Sequence, residues 1–156
     1  MSETFIRHAL TALTAIGVFG AAFELAAEQH WQTTEQMIPW GAIVLLGMAV
    51  LLLLGNDSPR LVAAARLLAL VVLLASVFGV YAHVAANYDA GPLDQRYSAT
   101  WDILPVVTRW WYALTKVVGP APPLAPGMLG QSALLLLLAT RIRRKPAEDA
   151  TRGQGS

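Results

Sequence analysis

The chain has 156 residues, with 11 Lys and Arg against 10 Asp and Glu, a formal net charge of +1 and no cysteine. Charge this balanced argues against a nucleic-acid partner, and the missing thiols exclude disulfide scaffolds, thiol redox chemistry and cysteine nucleophiles. Hydrophobic residues make up 56% and charged residues 13%, where soluble domains carry about 25% charged residues, so the first partner expected is the lipid bilayer.

A hydrocarbon core about 30 Å thick requires roughly 20 apolar residues of helix. Four stretches meet that requirement and predict an all-α fold: a polytopic membrane protein in one domain, residues 1-145, built as a four-transmembrane-helix bundle with spans at about 6-27, 37-54, 60-86 and 125-141. The first span is interrupted by Glu24 near its end. Gly20-Ala21-Ala22 behind Arg7 also has the form of a signal-peptide cleavage site, but a retained span is the preferred reading. Ser58 then Pro59 has the form of an N-cap followed by proline at the first helical position. Gly55 to Ser58 is then a tight turn, and spans two and three form an antiparallel hairpin.

Basic residues resist translocation and collect on the cytoplasmic side. With the N-terminus inside, that side carries Arg7, Arg60, Arg66, Arg141, Arg143, Arg144, Lys145 and Arg152, against Arg96, Arg109 and Lys116 outside. Both termini are therefore expected in the cytoplasm, His8 at the inner interface, and residues 146-156 as a disordered cytoplasmic tail.

The connection from Asn87 to about Leu124 is far the longest in the chain. Within it Val106, Val107, Trp110, Trp111, Leu114, Val117 and Val118 recur at three- and four-residue steps, with Thr108, Arg109, Tyr112, Thr115 and Lys116 opposite. That pattern predicts an amphipathic helix over about 105-118, capped by Thr100 or Asp102 and stopped at Gly119-Pro120. Trp110, Trp111 and Tyr112 would set it in the membrane interface, where aromatic rings favour the headgroup layer. A plain bridge between spans three and four is the simpler role, preferred to a lid. The proline-dense stretch Pro120 to Pro126 returns the chain to the membrane in an extended path.

Ionisable residues in or beside spans are costly enough to suggest function. Glu24 and Glu28 lie four apart and share a helix face. That face continues into Gly17, Gly20 and Ala21, small residues that let membrane helices approach. On the third span Ser76, Gly79, His83 and Asn87 form a comparable stripe, and the two stripes are expected to face each other. Glu24, Glu28, His30, His83, Asn87 and Asp89 would then converge at the outer end, with Tyr81 and Tyr88 nearby. Carboxylates beside imidazole suit a cation or proton site. A divalent metal ion is the cofactor such a cluster would take, held by Glu24, Glu28 and His83. The competing reading is solvation at the headgroup level.

No HExxH, paired ExxH, GxSxG, P-loop or dinucleotide fingerprint is present, so no enzyme class is indicated. Two histidines on adjacent helices could hold a haem, but His30 and His83 are a weak pair for it. Small multidrug exporters carry a mid-membrane glutamate and minimal loops, unlike Glu24 and the long outer connection. The segments Gly79-Val80-Tyr81-Ala82-His83-Val84-Ala85-Ala86-Asn87 and Leu124-Ala125-Pro126-Gly127 resemble those of a group of uncharacterised small four-span bacterial inner-membrane proteins. That resemblance covers the second half of the chain and implies a bacterial inner-membrane location, with no activity attached. The function expected first is a non-enzymatic accessory or assembly subunit of a larger membrane complex, or a homo-oligomer. The alternative is a cation- or proton-binding transport protein using the Glu/His cluster.

Overall fold

A computed structural model describes residues 2–55 and 58–142, and among these residues every regular element is helical. Five α-helices follow in chain order: α1 (Glu3–Ala27), α2 (Ile38–Gly55), α3 (Pro59–Ala90), α4 (Val106–Leu114) and α5 (Ala125–Ala139). The tail expected over 146-156 lies outside the described residues.

α1 and α3 start where the sequence supplies a partner for their free amides. The Ser2 hydroxyl accepts from the Phe5 N–H at 3.3 Å, and the Ser58 hydroxyl accepts from the Leu61 N–H at 3.3 Å, with Pro59 as the first residue of α3. A proline there costs no hydrogen bond, because the first amides of a helix have no intrahelical acceptor.

α1, the α2 region and α3 are long and apolar enough to cross a membrane. At 1.5 Å per residue, the 32 residues of α3 extend about 48 Å, well beyond a hydrocarbon core of about 30 Å. Its last turns therefore stand clear of any bilayer that its middle spans. α5 has 15 residues, about 22 Å of helix. The prolines at 120, 122 and 123 keep it from starting earlier, and the helix gives way to a turn at Thr140.

The packing differs from the expectation that the small-residue faces of α1 and α3 meet. α5 lies between them and packs on both, while α2 packs on α1 and α3 from the other side. α1 and α3 thus occupy opposite corners of the bundle. A Cβ on Gly79 would come within 2.8 Å of the Pro126 ring, and one on Gly130 within 3.1 Å of the Ser76 Cβ. Gly17 gives way in the same manner to the Ser132 hydroxyl. Small residues admit close helix approach, and here the third element is α5. Gly20, expected on the same buried stripe, is exposed with nothing packed against it.

The core runs through the middle of the bundle: Leu46, Ala49, Leu53, Ala65, Ala69, Val72, Ala133 and Leu136 are all nearly or fully buried. Thr14, fully buried, keeps its hydroxyl within 2.9 Å of the Leu10 carbonyl and 3.3 Å of the Ser132 carbonyl. At the end where α2 and α5 finish, two guanidinium groups meet their last carbonyls. Arg7 donates to the Leu53 carbonyl at 3.3 Å, and Arg66 donates to the Thr140 hydroxyl at 2.9 Å and its carbonyl at 2.7 Å. Cations there complement the negative end of the helix dipole.

A second, smaller core organises the opposite end. Trp101 is 2% exposed and meets Tyr88 edge-on at 5.5 Å. Gly91 lies against its ring so closely that a Cβ would overlap it. Val84, Ala113 and Val118 complete this cluster. α4 is shorter than the expected 105-118. It ends at Leu114, and Lys116 at φ +57° and Gly119 at φ +78° turn the chain through left-handed conformations. That turn sends Val118 inward to the small core instead of along a helix face.

Candidate functional site

Where α1 ends and α2 begins, the four long helices enclose a cavity of about 350 Å³, within the range of small-ligand pockets. Two causes open it. α1 and α3 sit at opposite corners, and six of the residues facing the gap are alanine or glycine: Ala21, Ala42, Ala75, Gly79, Ala82 and Ala125. From His83 to Ser76 the α3 wall runs seven residues, about 10 Å of depth by helix rise.

Four of the six residues expected to converge do line this cavity: Glu24, Glu28, His30 and His83. Glu24 and Glu28 project from the last turns of α1 and are exposed; His30 and His83 are half-buried. The Trp40 indole N–H donates to the His30 carbonyl at 2.7 Å, which fastens the loop after α1 to the start of α2. His83 places Nδ1 2.8 Å from the Pro122 carbonyl. A carbonyl can only accept, so Nδ1 carries a proton, which leaves Nε2 facing away from this bond.

Asn87 and Asp89 are elsewhere. Asn87 is fully buried and holds the long connection together: its amide donates to the Ala113 carbonyl at 3.0 Å and the Ala121 carbonyl at 2.8 Å, and its oxygen accepts from the Ala121 N–H at 2.9 Å. Both of its donors and one acceptor site are spent on backbone, because α3 continues past the bundle and the connection wraps over this turn. Asp89 is exposed and lines no part of the cavity. Tyr88 belongs to the aromatic stack, with Trp110 at 4.7 Å and the Arg109 guanidinium 5.6 Å from its ring centre. Tyr81 is exposed.

Two contributors were not read from the sequence. Glu35 and Gln36 reach the cavity on a short turn of 3₁₀ helix before α2; the available signal was that Glu28 to Gln36 contains no basic residue. At the floor stands Ser76, 6% exposed, whose hydroxyl has no hydrogen-bond partner.

Among the described residues no three His, Asp or Glu side chains come together as a metal-binding group. Glu24, Glu28 and His83 do not make the expected divalent-ion set. The carboxylates sit on α1, while His83 sits on the opposite corner and is turned toward Pro122. No protein family, curated protein or solved structure matches the chain. The site is therefore read from its own chemistry: carboxylates and imidazoles at the mouth, hydrocarbon along the walls, one unpaired hydroxyl at the floor.

The aromatic helix is a separate feature. Tyr112 packs against Tyr97 at 5.1 Å and Trp110 stacks on Tyr88, whereas Val107 and Trp111 point outward at 81% and 59% exposure. Beside it Arg96 clasps Asp94 at 2.8 Å and also donates to the Val117 carbonyl. The Arg96 side-chain bond, then its backbone N–H, hold the half-buried Asp94 carboxyl below its ordinary value.

Proposed function

We propose that the chain is a non-enzymatic four-span protein of a bacterial inner membrane that binds a small ligand in this cavity at its periplasmic end. The cavity carries the reading: it brings His83, far along the chain on α3, to the same mouth as Glu24, Glu28 and His30 at the end of α1, above an otherwise apolar chamber. The orientation rests on the excess of Lys and Arg at the opposite end, and the bacterial setting on the resemblance of the second half of the chain. α5 serves as the fourth span, the bilayer thinning locally around a short helix. α4 lies in the interface with Val107 and Trp111 toward lipid.

Native mass spectrometry of the chain released from its own membrane in mild detergent tests the proposal, with elemental analysis of the same sample. The expected result is a small-molecule adduct that disappears when Ala82, a half-buried wall residue, is replaced by Leu. A ligand-free chain in wild type, with no adduct lost in that variant, would overturn it.

One observation favours a second reading, the accessory or assembly subunit. Gly20 forms an unfilled notch on the outer face of α1 between Phe19 and Phe23, which are 76% and 77% exposed. A partner helix would fit closely there. A stoichiometric co-purifying protein released by Gly20→Leu would support it.

A further inference from the structure

Resting on the reading of the cavity as a ligand site, we infer that its ligand is an amphipathic organic cation: a single ammonium-type head at the mouth and an apolar body reaching inward toward Ser76. Three observations carry this. First, Glu24, Glu28 and Glu35 all stand at the mouth, and among the described residues no Lys or Arg lines the cavity. An anionic mouth with no Lys or Arg counter-charge attracts a cation and repels phosphate, sulfate and carboxylate.

Second, the interior is unsuited to a bare or hydrated metal ion. Its walls are hydrocarbon from Ala21, Leu25, Ala42, Phe78 and Leu129, and the histidines and carboxylates do not assemble into a three-residue ligand set. A chamber about 10 Å deep takes a body of that length, which gains free energy in proportion to the apolar surface it buries. Third, the Ser76 hydroxyl is an orphan at the floor. Buried hydroxyls are nearly always hydrogen-bonded, so a chamber that ends on an unpaired one is shaped around a guest. The anionic mouth separates this guest from a phospholipid, whose phosphate would lie against Glu24 and Glu28.

The test uses the full chain in nanodiscs of zwitterionic phosphatidylcholine, and equilibrium dialysis corrected for empty discs. Three probes share one apolar body: octyltrimethylammonium, octanol and octyl sulfate. The cation is expected to bind most tightly and octyl sulfate least. Glu24→Gln with Glu28→Gln, both at exposed positions, is expected to weaken the cation about tenfold or more, since each exposed contact near 4 Å supplies roughly a fivefold factor. The same pair should leave octanol unchanged. Added salt should weaken the cation alone, and Ala82→Leu should weaken cation and octanol together.

Equal binding of all three probes, lost in Ala82→Leu, would overturn the charge assignment and leave the cavity as a ligand site. Binding of no probe, or cation binding unaffected by Ala82→Leu, would overturn both. Loss of the cation in discs containing phosphatidylethanolamine would overturn the present assignment in favour of a lipid amine.

Discussion

Asn87→Ala should unfasten the long connection without unfolding the bundle. Asn87 lies 28 residues beyond Pro59, about 42 Å along α3, past the stretch that a bilayer core would enclose. Its three hydrogen bonds to Ala113 and Ala121 are each worth about 1 kcal/mol net, so the variant should lower the opening free energy of the connection by about 3 kcal/mol. That corresponds to roughly 100-fold faster amide exchange. Hydrogen exchange read by mass spectrometry on the peptides covering Ala113 and Ala121 measures it, with α1 and α2 as internal references. Asn87→Asp supplies a control: it keeps the acceptor for the Ala121 N–H but loses both donors, so it should not rescue. Exchange at Ala121 within about threefold of wild type would refute the assignment of Asn87 as a clamp. Equal acceleration in α1 would show instead that the residue supports the whole bundle.

Gly79→Ala should cost about 1–3 kcal/mol in a detergent-unfolding titration, because its Cβ has to displace the rigid Pro126 ring. Gly20→Ala, with open space around it, should be neutral or stabilise by up to about 1 kcal/mol. Arg66→Ala removes two hydrogen bonds from the end of α5 and should destabilise by about 2–3 kcal/mol in the same titration; Arg66→Lys, with no planar fork, should recover less than half. Asp94 titrates in the folded chain below its ordinary 3.8, through its bonds from Arg96. The ion pair's contribution is therefore complete above that value and is lost as pH falls below it. Exchange in the segment 91–98 should accelerate on acidification below pH 4 in wild type, and Asp94→Asn should abolish that added dependence.

The apolar runs made the long helices legible, since a run of uncharged residues and a helix of that length are the same observation in a bilayer. Ser58-Pro59 marked the start of α3 through the chemistry of the first amides. What periodicity could not supply was which helix stands next to which. The small faces of α1 and α3 are both real, yet Gly17 and Gly79 receive α5, and only a three-dimensional arrangement puts two helices at opposite corners. That corner placement is what gathers Glu24, Glu28, His30 and His83 at one mouth. Asn87 misled because an amide on a polar stripe looks the same whether it meets a ligand or a loop carbonyl. Trp101 left no signal: a lone tryptophan among Ser98, Ala99 and Asp102 has no period to belong to, and its burial comes from the closeness that Gly91 permits. Glu35 was missed because the cluster was read along helix faces, while this residue arrives on a connecting turn.

Among the described residues α5 is the last of the long helices to be synthesised, and it packs on both α1 and α3, as α2 does from the other side. Until it leaves the ribosome, Gly17 on one helix and Gly79 on the other lack the helix that packs against them. Closure of the bundle is therefore a late event in biosynthesis, and the chamber at its mouth is finished with it. A nascent chain halted before residue 125 would hold three inserted helices and no enclosed site.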